Sequence, residues 1–142
     1  MDLAKWLPDF DQWSKEQLDL AVNELINTNV FEKARIEARV VWGIKDQVIL
    51  AQVRETSVGL GFRWLITGSL VPTDHIESSV AELPRDAARH FALKWQLGAE
   101  NVRNLPYDAR KAMRHLDLDE MSKQLIRQAE ALHELVSDEL LW

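Results

Sequence analysis

Ile36-Glu37-Ala38-Arg39-Val40-Val41-Trp42, Val48-Ile49-Leu50-Ala51-Gln52-Val53-Arg54 and Leu60-Gly61-Phe62-Arg63-Trp64-Leu65-Ile66 are the three runs whose reading decides the fold. In the first, Ile36, Ala38, Val40 and Trp42 alternate with Glu37 and Arg39. In the third, Leu60, Phe62, Trp64, Ile66 and Leu70 alternate with Arg63, Thr67 and Ser69. A period of two puts apolar side chains on one face of a strand and polar ones on the other. Val48 to Arg54 is apolar and rich in β-branched residues, which fits a more buried strand. Only the turn-rich segments Gly43–Gln47 and Glu55–Gly59 separate the runs, so they are expected to form a three-stranded antiparallel meander.

Helical spacing flanks this core on both sides. Leu18, Ala21, Val22, Leu25 and Ile26 mark a helix from about Ser14 to Asn29, with Ser14 and Gln17 in the form of a capping box. Trp6, Leu7, Phe10 and Trp13, broken by Pro8, read as an aromatic turn or short helix over the core edge. After Pro72, the positions Ala87/Ala88, Phe91/Ala92, Trp95, Gly98/Ala99 and Val102 form an apolar stripe that Leu93 and Leu97 widen, as expected of a helix buried on most sides, across the sheet or between two subunits. Pro84 suits its first turn, where a missing N–H costs nothing. Tyr107–His115 fits a short helix. The last helix has Asp117 as N-cap and a stripe of Leu118, Met121, Leu125, Ala129, Leu132, Val136 and Leu140. The expected fold is α+β, with an N-terminal helix, the meander, and two long helices with a short one between them. Without repeats or long linkers, residues 1–142 read as a single domain.

The chain has 142 residues, no cysteine and a formal charge of −6. Absent thiols exclude a disulfide framework, thiolate metal sites and a cysteine nucleophile. The acidic balance argues against nucleic acid, which requires a basic footprint. No apolar run reaches membrane-span length, and the start Met1-Asp2-Leu3-Ala4-Lys5-Trp6 lacks the form of a signal peptide, so a cytoplasmic protein is expected. Residues 1–33 carry net −4 and 117–142 net −5, whereas 34–116 carry net +3 with basic residues gathered between Arg103 and Arg114.

Candidate sites are few. Val71-Pro72-Thr73-Asp74-His75 reads as a strand-to-helix corner: Thr73 or Asp74 caps the helix, or Thr73, Asp74 and His75 hold a small anion or act as an acid/base pair. Asp86 and His90, and Glu130 and His133, have spacings seen in metal sites, but HExxH is absent and Glu-x-x-His occurs once, so no metal and no cofactor is expected. No G-x-S-x-G elbow surrounds a serine, and Gly59-Leu60-Gly61 leads into a strand where a dinucleotide fingerprint needs a helix. Of six tryptophans, Trp42, Trp64 and Trp95 sit on apolar stripes and read as core. Trp6, Trp13 and Trp142 have no core register: with Leu125 and Leu132 of the last helix they are candidate interface residues, or else the terminal segments fold back on their own domain.

Val41-Trp42, Trp64-x-Ile66-x-Gly68, Pro72-Thr73-Asp74-His75 and Arg89-His90-Phe91-x-Leu93-x-Trp95-Gln96 together resemble a small bacterial family described as a domain of unknown function. The resemblance spans roughly residues 34–102 and implies no activity. Its helix pattern implies that Arg89 and His90 lie near the Thr73–His75 corner. Three functional expectations follow. The first is a non-enzymatic interaction protein that forms a homodimer. The second is an inhibitor or immunity-type protein whose acidic ends cover a basic partner. The third is a small enzyme or anion-binding domain using Arg63, Thr73, Asp74, His75, Arg89 and His90.

Overall fold

Hairpins between chain neighbours build the sheet, and it has four strands rather than three. In the computed structural model, which describes residues 9–28, 36–56 and 61–142, β1 (Ile36–Ile44), β2 (Val48–Glu55), β3 (Arg63–Gly68) and β4 (Asp74–Glu77) lie in the order β1-β2-β3-β4, all antiparallel. The fourth strand is the correction to the expected meander. Arg63 pairs with Glu77, Trp64 with Ile76, Leu65 with His75 and Ile66 with Asp74. A strand of four residues with one apolar side chain, Ile76, is too short to show a period, so its sequence resembles a capped loop.

One helix covers one face of the sheet and two cover the other. α1 (Phe10–Asn27) buries Leu18, Ala21 and Leu25 against Ile49, Ala51, Val53 and Leu65. α2 (Pro84–Arg103) and α4 (Leu118–Ser137), joined through the short α3 (Tyr107–Ala112), bury Phe91, Trp95, Leu132 and Val136 against Trp42, Leu50, Trp64 and Ile66. The two long helices run antiparallel. Ser122 donates to the Ala99 carbonyl at 3.1 Å, and Arg85 Nε donates to the Val136 carbonyl at 2.9 Å.

Local chemistry sets several boundaries. Asp117 accepts from the Glu120 amide at 3.0 Å, the expected cap. α1 instead starts four residues before Ser14, with Asp9 in the left-handed region (φ 67°) ahead of it. Ser14 is buried between Phe10 and Leu18 on the core-facing side, and its hydroxyl donates to the Asp11 carbonyl, so it caps nothing. Phe10 and Trp13, read as a lead-in, are part of this helix; Trp6 lies outside the described residues.

The alternation in β1 also breaks. Val40 pairs with Ala51 and Trp42 with Leu50, and the register shift between them is a bulge at Val41. One extra residue reverses the parity of a strand. Val40 therefore packs on the α1 side and Trp42 on the α2–α4 side, not on one face as the period-two reading had them.

Candidate functional site

The Pro72–His75 corner leads into the strand β4, so neither Thr73 nor Asp74 caps a helix there as the strand-to-helix reading expects. Strand alternation sends Asp74 and His75 to opposite faces of the sheet, because their partners Ile66 and Leu65 belong to opposite cores. On the α2 side, the Asp74 carboxylate accepts from Trp95 Nε1 at 3.0 Å, Lys94 Nζ at 2.9 Å and the His75 amide at 2.8 Å. On the α1 side, Arg63 Nε donates to His75 Nδ1 at 2.9 Å, which leaves the ring proton on Nε2. Burial lowers the pKa of His75, and the Arg63 guanidinium adds to that. Asp74 pulls the other way, and Lys94 acts weakly with Arg63. Thr67, which is buried, and Thr73 share a hydroxyl–hydroxyl bond of 2.7 Å.

These bonds tie the corner to β3 and to the middle of α2. The residues of α2 that reach it are Lys94 and Trp95. Arg89 pairs with Asp86 at 2.7 Å on the exposed surface, and with His90 it lines a cleft between α2 and α4 to which Asp74 and His75 do not contribute. The structure thus divides the candidate residues between two places.

The candidate interface residues divide as well. Leu132 is fully buried and Leu125 packs against the same core, between the helices and the sheet. Trp142 folds back onto Trp42, with ring centroids 4.0 Å apart and planes 8° from parallel. Its Nε1 donates to the Leu135 carbonyl, and Trp42 Nε1 donates to the Leu141 carbonyl at 2.7 Å. Trp13 is half-buried against the α1-side core, 6.1 Å from the Phe10 ring. Leu132 and Trp142 are therefore committed within the chain, because a core seam and an aromatic stack absorb the apolar surface that would face a partner. In the basic stretch, Arg110 has a structural task. Its guanidinium donates to the carbonyls of Val102 and Arg103 at the end of α2 and of Leu105 just beyond it.

What remains is the outer surface of α2 and α4. The cleft there measures about 620 Å³, with Ala92, Leu93, Ile126 and Ala129 as its apolar part and Asp86, Arg89, His90, Glu100, Arg103, Glu130 and His133 around them. The Asp86/His90 and Glu130/His133 pairs meet at this one cleft. Among the described residues, though, no three metal-ligating side chains converge. Leu93 and Leu97 stand 51 % and 50 % exposed in the middle of α2, and Met121 of α4 is 43 % exposed. The widened stripe of α2 is thus only partly used by the core. The width of the stripe already pointed to this helix as one that could lie between two subunits; the signal that sequence reasoning missed is that Asp86, Arg89, Leu93, Gln96, Glu100 and Arg103 recur at alternating steps of three and four. That is the signal of a helix seam, here carried mostly by charged residues.

No described helix is long and apolar enough to cross a membrane. The family described as a domain of unknown function (DUF4826) has a model that matches residues 10–142, and the chain belongs to that family. The match takes in the corner, both long helices and the closing Trp142. No curated protein and no solved structure matches the chain.

Proposed function

From that family membership and this surface, we propose that the chain is a non-enzymatic protein-interaction module that works as a homodimer, using the outer face of α2 and α4. The observation that carries this reading is the pair Leu93 and Leu97, half exposed at the centre of a long helix beside an apolar-floored cleft. Isolated surface leucines are ordinary, but adjacent ones beside a cleft with an apolar floor are what an interface core requires. The bonds that tie Asp74 and His75 to neighbouring side chains support a structural role for the corner rather than a catalytic one.

The size of the face fits a modest affinity. Each helix has 20 residues and spans about 30 Å, and two packed side by side offer on the order of 500–600 Å² per copy. Two such faces bury about 1,000–1,200 Å² in total, at the lower limit of specific interfaces, so a reversible dimer of micromolar affinity is expected. Sedimentation equilibrium tests this. The wild-type chain should pass from monomer to dimer across the micromolar range, and Leu97→Glu should remain a monomer with an unchanged circular-dichroism spectrum. A wild-type chain that stays monomeric at the highest concentrations would remove the reading.

A further inference from the structure

The charges along the outer face of α2 are arranged so that the helix complements a reversed copy of itself. Reading along the seam, Asp86 is negative and Arg89 positive, Leu93 and Gln96 are uncharged, and then Glu100 is negative and Arg103 positive. All six line the cleft. A point midway between Leu93 and Gln96 lies equally far from Asp86 and Arg103, and equally far from Arg89 and Glu100. A two-fold axis through that point brings each charge against one of opposite sign. It also gathers Leu93 and Leu97 of both copies around the centre. An isologous interface requires this kind of self-complementarity, with each patch meeting its own reverse.

Resting on the interaction reading above, we propose that the dimer is an antiparallel pairing of two α2 helices about an axis between Leu93 and Gln96. Asp86 of each copy faces Arg103 of the other, and Arg89 of each faces Glu100. The alternating three-and-four spacing keeps these residues on one side of the helix, with a drift of only about 20° per heptad, so all four charge pairs form together. Within one chain Asp86 and Arg89 already pair at 2.7 Å with side chains about half exposed. The second copy extends that pair into a network of alternating sign at each end of the seam. A parallel arrangement is disfavoured because it sets like charges against like along the same line. The exposed Lys94 and Asn101 lie beside the seam and leave its centre, at Leu93 and Gln96, uncharged. The cleft between α2 and α4 receives the side chains of the opposing α2, which makes the assembly a four-helix layer with a sheet on either side.

Charge-reversal exchange tests the register. In Arg89→Glu/Arg103→Glu every cross-pair becomes acidic against acidic, and in Asp86→Arg/Glu100→Arg every one becomes basic against basic. Each variant alone should dimerise at least ~100-fold more weakly than wild type, and an equimolar mixture should recover a heterodimer within about 10-fold of the wild-type affinity. Because the chain has no native cysteine, a second measurement does not depend on these charges. Leu93→Cys in one copy should cross-link to Gln96→Cys in another on mild oxidation, and Leu93→Cys mixed with Ser69→Cys should not. If each charge variant dimerises alone while Leu97→Glu stays monomeric, the α2–α4 face is the interface and the proposed register is wrong. A mixture that remains monomeric, or a pair of cysteines that does not cross-link, also overturns the register. A wild-type chain that never dimerises overturns both the register and the reading beneath it.

Discussion

Trp95 donates from Nε1 to Asp74 Oδ2 across 3.0 Å and so fastens the edge strand β4 to the middle of α2. The carboxylate is only 20 % exposed and Trp95 is buried, so this bond lies away from bulk water. Removing an acceptor there leaves a buried indole N–H without its partner, and such losses are costly. Asp74→Ala is expected to destabilise the fold by about 1–3 kcal/mol. Asp74→Asn retains a side-chain oxygen and should cost less. Urea unfolding followed by tryptophan fluorescence measures both, and equal losses for the two variants would show that the bond to Trp95 is not the cause.

The Trp42–Trp142 stack anchors the last residues of the chain. Trp142→Ala removes a ring packed 4.0 Å from Trp42 and opens a wall of the α2–α4-side core. Since Trp142 is only partly buried, the expected loss is about 2 kcal/mol, below that of a fully buried aromatic. Two indoles in near-parallel contact also couple optically. Near-ultraviolet circular dichroism should lose intensity in Trp142→Ala, whereas Trp142→Phe should recover most of the stability without the tryptophan signal.

Gly68 ends β3 at φ +151°, a backbone conformation that side chains rarely adopt. A Cβ there would collide with the Gln47 carbonyl oxygen and come within 2.7 Å of Val48 Cα, both backbone atoms of the neighbouring hairpin. Nothing flexible is available to move aside. Gly68→Ala is expected to cost at least about 2 kcal/mol, read as a lower thermal midpoint. An unchanged midpoint would show that the β2–β3 pairing yields there.

His75 gives the fold a dependence on acidity. Burial and Arg63 hold its pKa below the ordinary imidazole value, so the unfolded chain takes up a proton at a pH where the folded chain does not. This contribution to stability is fully present above the unfolded value and is lost as pH falls through the folded one. Protonation at Nδ1 would also set N–H against N–H across the Arg63 contact. The urea midpoint should therefore drop on acidification through that window, and more steeply in wild type than in His75→Gln. Parallel pH profiles would assign the drop to other groups.

Much of this architecture was legible in the residues. Alternation around Trp64 and Ile66 placed β3, the Asp117-to-Glu120 spacing placed the start of α4, and Pro84 the start of α2. These signals are local, because a pleat, a cap and a first turn each depend on a few neighbouring side chains. What escaped depends on partners distant in sequence. β4 exists because β3 offers it hydrogen bonds, and the bulge at Val41 exists because Val40 and Trp42 serve two different cores. The corner looked like a site because Thr73, Asp74 and His75 are consecutive and polar. A strand separates consecutive residues onto opposite faces, and only the pairing with β3 shows that this is a strand. Trp142 lacked a core register because its register is set by Trp42, not by its own helix.

The bond from Trp42 to the Leu141 carbonyl joins residues 99 positions apart, although the four strands are stitched together by their immediate neighbours. Synthesis on the ribosome runs in one direction, so the nascent β1–β4 ribbon can assemble early while the side holding Trp42, Leu50 and Trp64 waits for helices not yet made. α2 can cover part of that oily side first, and α4 with Trp142 closes the rest, so the sheet is finished on this side by the segment made last.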